Sequence, residues 1–227
     1  ITAITAQNTQ DVTAVYPIPD DIVAAQIQAV FDDIDIHAVK IGMLGTPRLI
    51  ETVARALEGY TGPIVLDPVM VSKSGVALLE DSAISALKTH LLPRAMVLTP
   101  NLPEAAKLLD QIEGQGDVHT QAQALRALGP QAVLMKGGHA AGDLCTDILL
   151  TDGGPQAFSA PRIATRNTHG TGCSYSAAIA AGLAKGHDFP QAVKQAHDWL
   201  HQAIMRADEL GVGHGHGPVH HFHRMWG

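Results

Sequence analysis

Short runs of β-branched and aliphatic residues alternate along this sequence with longer stretches rich in alanine and leucine. We predict five of the short runs as strands, at residues 38–44, 63–69, 95–100, 132–138 and 145–151. Their hydrophobicity is continuous rather than alternating, which is typical of strands covered on both faces. Strands that alternate with helices favour a parallel sheet with crossover connections. The sequence therefore predicts an α/β/α fold of three layers around a mostly parallel central sheet.

The longer stretches between and after these runs have the spacing and the end signals of helices. We predict helices at residues 20–31, 47–57, 82–89, 102–109, 121–128, 174–185 and 190–209. The first has proline before it and two acidic residues in its first turn, which are ordinary signals for a helix start. No segment repeats and no long polar linker interrupts the pattern, so we predict a single α/β domain over residues 1–227.

Charge and cysteine content narrow the classes of partner. The formal net charge is −7 and no basic run occurs, which argues against nucleic acid and against an anionic membrane surface. The two cysteines lack metal-ligand spacing and favour a reducing compartment, so we expect a cytoplasmic protein. No apolar run approaches the roughly 20 residues of a membrane span. A small molecule is the expected partner.

Polar or conformationally special residues follow several of the predicted strands. Asp67 ends the run IVLD, Asn101 follows the run MVLTP, and Lys136 precedes two glycines after the run AVLM. Ligands of open α/β sheets bind beyond the carboxyl ends of the strands. We therefore expect these strand ends to form one site.

A second feature is the glycine-rich segment at residues 166–186. Gly170 and Gly172 precede an alanine-rich helix, and backbone N–H groups at a helix start can bind a phosphoryl group. The alternative is that the two glycines only make a tight turn, because short glycine motifs have many false positives.

Seven segments together resemble one family of kinases, in that family's order. They are TAITAQNTQDV, KIGMLG, VLDPVMVSKSG, LTPNLPEA, MKGGH, NTHGTGCSYSAAIAAGLAKG and GHGHGPVHHFHRMW. The resemblance is to the hydroxymethylpyrimidine/phosphomethylpyrimidine kinases of thiamine biosynthesis, in the ribokinase-like superfamily. It covers residues 1–226. The residue after Gly-Thr-Gly is usually aspartate in ribokinase-type kinases and is Cys173 here, as in the pyrimidine branch.

This resemblance implies a ribokinase-like fold, ATP as phosphoryl donor, Mg²⁺ as cofactor and a pyrimidine alcohol as acceptor. The family usually has a first strand and a Gly-Ser-Asp segment upstream of the position of Ile1. We therefore expect the sequence to be an N-terminally incomplete form of the kinase domain. The histidine-rich ending suggests a metal site or a purification tag, but its spacing fits no standard zinc pattern. The resemblance implies a structural terminus, near the interface of an expected homodimer.

Lys136 and Cys173 are the side chains that the resemblance places at the reacting phosphate. Lys136 corresponds to the lysine that reaches the transferred group, and the alternative is a solvated lysine at a strand end. Cys173 at a helix start can form a thiolate that accepts the proton of the hydroxyl, or it can be a packing residue whose backbone N–H does the work. A third alternative is a covalent nucleophile, which needs a histidine such as His169 or His139.

Two further residues correspond to the metal-binding side of the family's site, and a third lies near the same edge of the sheet. Asn101 and Glu104 match an Asn-x-x-Glu element, and their spacing places them on one helix face. Asp67 is a second carboxylate near the same edge. Mg²⁺ usually keeps several waters, so the resemblance implies contact through water. The alternative for Glu104 is N-terminal helix capping.

The resemblance also implies residues that bind the pyrimidine and residues that bind the nucleotide. Gln7 would bind the ring edge, since an amide has both donors and acceptors, and Met43 and Val69 would pack near the ring. Alone, Gln7 can be a polar strand end and Met43 a core residue. Thr168 and Thr171 would assist phosphate binding. A pyridoxal kinase and a non-catalytic pyrimidine-binding module remain alternative functions.

Overall fold

The computed structural model describes residues 1–71, 75, 77–112, 114–139 and 142–226. Part of the motif VLDPVMVSKSG, at residues 72–74, lies outside the described residues. Among the residues that are described, no helix is long and apolar enough to cross a membrane.

Six strands form the central sheet, in the order β3-β4-β5-β6-β7-β8, and a separate two-stranded sheet joins β1 and β2. The strands are β1 Ala3–Gln7, β2 Val12–Pro17, β3 Val39–Ile41, β4 Ile64–Leu66, β5 Val97–Leu98, β6 Ala132–Met135, β7 Leu144–Thr151 and β8 Gly154–Pro161. β3 to β6 are parallel, as predicted. Each of these four is shorter than predicted, because the polar strand ends belong to the loops that build the site.

In the described ranges, seven α-helices connect or cover the strands. They are α1 Asp20–Phe31, α2 Pro47–Ala56, α3 Asp81–Ala86, α4 Leu102–Leu108, α5 Val118–Arg126, α6 Thr171–Ala184 and α7 Phe189–Met205. α5 begins earlier than predicted because the Asp117 side chain accepts the Thr120 N–H at 2.9 Å and caps the helix. α3 passes into a π-helical turn at Leu87–Leu91, and α7 is followed by a 3₁₀ turn at Ala207–Leu210.

β7 and β8 differ from the parallel pattern. β7 occupies the predicted segment 145–151 but runs antiparallel to β6, and β8, for which the sequence pattern gave no strand, runs antiparallel to β7. The connection from β6 to β7 is too short for a crossover helix. A two-residue turn at Asp152 and Gly153 joins β7 to β8, and such turns make hairpins.

The hairpin of β1 and β2 was also absent from the predicted elements. Its strands pair antiparallel from Ala3 opposite Pro17 to Gln7 opposite Val12, with an irregularity between Ala6 and Gln7. Val12 is its one buried residue, while Ile4 and Tyr16 are exposed at 58% and 64%. The hairpin therefore contributes little to the core.

The core consists of two clusters, one on each face of the central sheet. Ile64 and Leu66 of β4 face helices α1 to α5, whereas Val65 between them faces α6 and α7. β5 and β6 alternate in the same way. Burial on both faces confirms the prediction of three layers and explains the continuous hydrophobicity of these strands.

Candidate active site

Three neighbouring strands end in polar residues at one edge of the sheet. Asp67 follows β4, Thr99 follows β5 and Lys136 follows β6, and these strands are parallel neighbours. The Lys136 N–H donates to the carbonyl of Pro100 at 2.8 Å, which continues the ladder one residue beyond the strands. Parallel order therefore brings together side chains that lie far apart in the sequence, as the strand-end pattern predicted.

Lys136 lies between two carboxylates. Its Nζ is 2.8 Å from Asp67 Oδ1 and 3.7 Å from Glu104 Oε2. Thr99 Oγ1 donates to Asp67 Oδ1 at 3.1 Å, and Asp67 is 1% exposed. Burial alone would lower the pKa of Lys136, but the charges of Asp67 and Glu104 outweigh it and raise that pKa. Lys136 is therefore a half-buried, paired cation and not a solvated lysine at a strand end.

Glu104 has both a capping contact and a contact with the cluster. Its Oε2 accepts the Asn101 N–H at 2.7 Å, and the Glu104 N–H donates to Asn101 Oδ1 at 2.8 Å, which is a capping box at the start of α4. Burial raises the pKa of Glu104 to about 6, against the opposing effects of Lys136 and the Asn101 N–H. No described residue bonds Oε1 of Glu104, so one oxygen of this carboxylate is available to a ligand.

The start of α6 meets this cluster. Gly170 has φ +81°, a left-handed conformation that suits glycine, and makes the turn into the helix. A Cβ on Gly172 would lie 3.3 Å from Lys136 Nζ and 3.8 Å from Asp67 Oδ2. Within the described chain, the N–H groups of Gly172 and Cys173 donate to no carbonyl. The helix tip thus presents free donors beside a cation, which suits a phosphoryl group.

The remaining residues of this loop surround the helix tip. Thr168 and Thr171 are half-buried, and the Thr171 N–H donates to the Thr168 carbonyl at 3.4 Å. Cys173 is exposed in the first turn of α6, directly after Gly172. No hydrogen bond or ion pair described for the chain joins Cys173 to His169, while the side chain of His139 lies outside the described set. The covalent-nucleophile alternative for Cys173 therefore gains no support.

Fewer hydrogen bonds connect the residues expected around the pyrimidine than connect the cluster around Lys136. Gln7 is exposed at the end of β1 and lines a small concavity with His169 and His216, next to the glycine turn. The carbonyl of Met43 accepts the Thr2 hydroxyl at 2.9 Å, and Val69 lies in the turn after Asp67, its N–H bonded to the Asp67 carbonyl at 2.8 Å. Met43 and Val69 are half-buried. No hydrogen bond among the described residues links Gln7 to either of them.

Ser176 belongs to the cluster although the sequence pattern gave no sign of it. It is fully buried in α6, and its hydroxyl lies 3.2 Å from Asp67 Oδ2 and 3.0 Å from the Gly172 carbonyl. The signal that could have found it is a serine four residues after Gly172 on the same helix face, because such a residue lies below the helix tip. Ser176 ties α6 to the end of β4.

The histidine-rich ending forms a strap, residues 212–221, across the glycine loop. The Gly217 N–H donates to Asn167 Oδ1 at 2.9 Å, and the His169 N–H donates to the Gly217 carbonyl at 3.0 Å. On its other side the strap meets the β1–β2 turn, where the His216 N–H donates to the Thr9 carbonyl at 2.7 Å. His221 Nε2 lies 2.8 Å from Ser174 Oγ. In the described part of the chain, no three His, Cys, Asp or Glu side chains form a metal cluster.

Comparison with known proteins identifies the family. The sequence model of the family described as phosphomethylpyrimidine kinase matches residues 1–220. The chain belongs to the phosphomethylpyrimidine kinase family. A hydroxymethylpyrimidine/phosphomethylpyrimidine kinase of Escherichia coli strain K12 is 49% identical over 229 residues, which cover 100% of this chain and 86% of that protein.

Two solved structures share the fold. A crystal structure of phosphomethylpyrimidine kinase from Clostridium difficile 630 has a TM-score of 0.77 and 39% identity, covering 90% of this chain and 84% of that one. An ADP complex of Bacillus subtilis pyridoxal kinase has a TM-score of 0.86 and 33% identity, covering 99% and 85%. The ribokinase-like fold implied by the phosphomethylpyrimidine kinase motifs is therefore confirmed.

Proposed function

We propose that this chain transfers the γ-phosphoryl group of ATP to the hydroxymethyl group of 4-amino-5-hydroxymethyl-2-methylpyrimidine and then to the phosphate of the product, for thiamine biosynthesis. Family membership and the 49% identity to an E. coli kinase of that name support the reaction. The observation that carries it is the position of Lys136, whose ammonium lies against Gly172 at the open tip of α6. The ADP complex of the pyridoxal kinase relative supports ATP as the donor.

Phosphoryl transfer mainly requires that the reacting groups be aligned and that negative charge be neutralised. The N–H groups of Gly172 and Cys173, with Gly170 making the turn, would hold the moving phosphoryl group, and Lys136 would neutralise its oxygens. Thr168 and Thr171 flank this loop and would assist. In the first transfer the hydroxyl oxygen would attack the γ-phosphorus, the bond to the bridging oxygen of ADP would break, and Cys173 would accept the hydroxyl proton. In the second transfer an oxygen of the monophosphate would attack in the same way, with ADP again leaving.

The carboxylate side of the site suits Mg²⁺ held through water. Mg²⁺ usually keeps several waters and binds one or two carboxylates together with substrate phosphates. The free Oε1 of Glu104 fits this role, with Asn101 fixing the Glu104 side chain. Asp67 already accepts bonds from Lys136, Thr99 and Ser176, so it would act mainly by its charge. When bound, the cation would offset the charge of the ATP phosphates.

The pyrimidine would lie between the glycine loop and the β1–β2 hairpin. Gln7 would bond the ring edge, and Met43 and Val69 would pack against it. The place of Gln7 beside His169 supports this assignment. The same arrangement suits a planar nitrogen ring with a hydroxymethyl group, so pyridoxal is the second candidate substrate. It is favoured by the 0.86 TM-score with a pyridoxal kinase.

We expect the chain to be a cytoplasmic homodimer. Ile4 and Tyr16 pair across the hairpin, so their exposed apolar side chains share one face, which a second copy could cover. Light scattering after gel filtration measures the mass: a species of twice 23.9 kDa is expected, and a monomer at all concentrations would contradict it.

Transfer of labelled phosphate from ATP tests the function directly. The purified chain is assayed with hydroxymethylpyrimidine, with its monophosphate and with pyridoxal, and kcat/KM is compared. We expect both pyrimidines to be phosphorylated, at least about tenfold more efficiently than pyridoxal. Preference for pyridoxal would support the second candidate. Calorimetric binding of the pyrimidine without any transfer would support the non-catalytic module.

A pair of cysteine variants tests the proton acceptor. Cys173→Ala should lower kcat more than about tenfold, because it removes the base and keeps the backbone N–H. Cys145→Ala, on β7, is the matched control and should leave kcat within about twofold. An unchanged kcat for Cys173→Ala would show that only the main chain of this residue acts.

A further inference from the structure

Asp147 is a buried carboxylate outside the proposed contacts with ATP and pyrimidine. It lies on β7 and is 8% exposed. Its neighbour Ile148 pairs with Met135 of β6 in the antiparallel ladder. This antiparallel register brings Asp147 to the level of Lys136. A buried carboxylate is costly unless its oxygens are bonded, so its partner in the structure matters.

The partner of Asp147 is the turn that follows Lys136. Asp147 Oδ1 accepts the Gly137 N–H at 2.8 Å. Gly137 is pressed so closely against β7 that a Cβ would lie 1.8 Å from the carbonyl oxygen of Thr146. Two hydrogen bonds therefore fix the backbone at Lys136: the Lys136 N–H donates to the Pro100 carbonyl, and the Gly137 N–H donates to Asp147.

The carboxylate also faces the helix that begins at the glycine loop. Tyr175 of α6 is 3% exposed, its hydroxyl has no aligned hydrogen-bond partner among the described residues, and burial followed by the charge of Asp147 raises its pKa well above the usual value. The ring of His197 on α7 lies 6.4 Å from that of Tyr175. Asp147 thus lies where the Lys136 turn, α6 and α7 come together.

We propose that Asp147 is a positioning residue for phosphoryl transfer: by holding the Gly137 N–H it fixes the Lys136 turn, so that the ammonium stays against the tip of α6. This inference rests on the proposed role of Lys136. Catalysis by alignment is sensitive to small displacements, since a shift of about 1 Å can cost about a hundredfold in rate. Simple stabilisation of β7 is the competing explanation, and it predicts a loss of stability with kcat retained.

Two variants at Asp147 separate these explanations. Asp147→Asn keeps an oxygen acceptor for the Gly137 N–H and should retain kcat within about threefold. Asp147→Ala removes the acceptor and should lower kcat about 10- to 100-fold, with KM for ATP changed less than about threefold. Equal losses in both variants, or a retained kcat in Asp147→Ala, would overturn the proposal.

Leu149→Ala is the matched control on the same strand. Leu149 is fully buried on the same face of β7 as Asp147, so its truncation leaves a cavity without touching the turn. Unfolding midpoints are measured for all variants, and kcat is expressed per folded molecule. Leu149→Ala should keep kcat within about threefold. A loss equal to that of Asp147→Ala would assign the effect to general destabilisation and reject the proposal.

Amide hydrogen exchange gives a measurement that does not depend on activity. Exchange of the Gly137 N–H, followed by NMR, should accelerate more than about tenfold in Asp147→Ala and stay near wild type in Asp147→Asn. Wild-type protein that phosphorylates none of the three acceptors would refute the proposed function. Unchanged Gly137 exchange in Asp147→Ala would refute the positioning contact, whatever the activity.

Discussion

The two sides of the site are held in different ways. On the phosphate side, Lys136, Asp67 and Ser176 come from three distant segments and are joined by hydrogen bonds of 2.8 to 3.2 Å in buried surroundings. On the pyrimidine side, Gln7 lies on an exposed hairpin whose strands have one buried residue. Charged groups inside a protein must be paired or hydrogen-bonded, whereas a surface that binds an aromatic ring can take its final shape when the ligand binds. The phosphate side is therefore preorganised, and we expect the hairpin side to adapt to its substrate.

The largest effect should follow loss of the cation on the phosphate side. Lys136→Ala should lower kcat about 10²- to 10³-fold, since it removes a preorganised charge from the transferred group. The assay is ATP-dependent phosphorylation of hydroxymethylpyrimidine at saturating substrate. Lys88→Ala, which breaks the Lys88–Asp110 surface pair, is the control and should change kcat less than about twofold. A near-normal kcat in Lys136→Ala would show that the phosphate side does not contribute to catalysis.

The buried Glu104 carboxylate predicts a pH-dependent stability. Folding raises the pKa of Glu104 from 4.5 to about 6, so ionising Glu104 costs more free energy in the folded protein than in the unfolded chain. This cost lowers the free energy of unfolding as the pH rises from about 4.5 through about 6. We compare the free energies of unfolding of Glu104→Gln and wild type, without Mg²⁺. The variant should gain about 2 kcal/mol relative to wild type between about pH 4 and about pH 7.

The exposed Glu51 on α2 gives the control for this measurement. Glu51→Gln should show a pH-independent difference from wild type, within about 0.5 kcal/mol. If the difference in free energy of unfolding between Glu104→Gln and wild type also stays constant with pH, the surroundings do not shift the pKa of Glu104. The phosphate side would then be less tightly organised than the geometry indicates.

A smaller effect, and one of a different kind, should follow changes on the pyrimidine side. Gln7→Ala should raise KM for hydroxymethylpyrimidine about tenfold and change kcat less than about threefold, because it removes binding that is similar in ground and transition states. Gln123→Ala, which removes an exposed amide on α5, should leave both constants within about twofold. A fall in kcat with unchanged KM in Gln7→Ala would place Gln7 in the chemistry instead.

The smallest effect should come from the strap that borders both sides. Asn167→Ala removes the bond between the glycine loop and Gly217 together with the bond from Asn167 Nδ2 to Asp208, and should raise KM for ATP about threefold. Asn8→Ala removes comparable bonds within the hairpin turn, to the N–H groups of Gln10 and Asp11, and should leave KM for ATP unchanged. Equal effects of the two variants would contradict the separation of the two sides.

Sequence pattern predicted the phosphate side better than the pyrimidine side, for a physical reason. Parallel strands must end at one edge, so the order of strands alone indicates that Asp67 and Lys136 meet. β8 and the β1–β2 hairpin depend on local turn geometry, and their mostly exposed residues give a weak signal. Ser176 and the strap could not be predicted, because their partners are fixed only when distant segments pack.

One contact of the strap affects when the enzyme can become competent during synthesis. The Gly215 N–H donates to Thr9 Oγ1 across a separation of 206 residues. Contacts between such distant positions form late, because the chain must close a very long loop before they can stabilise anything. A nascent chain can thus complete its sheet while the glycine loop still lacks its outer support. Phosphate binding should therefore reach its full strength only after nearly the whole sequence has left the ribosome.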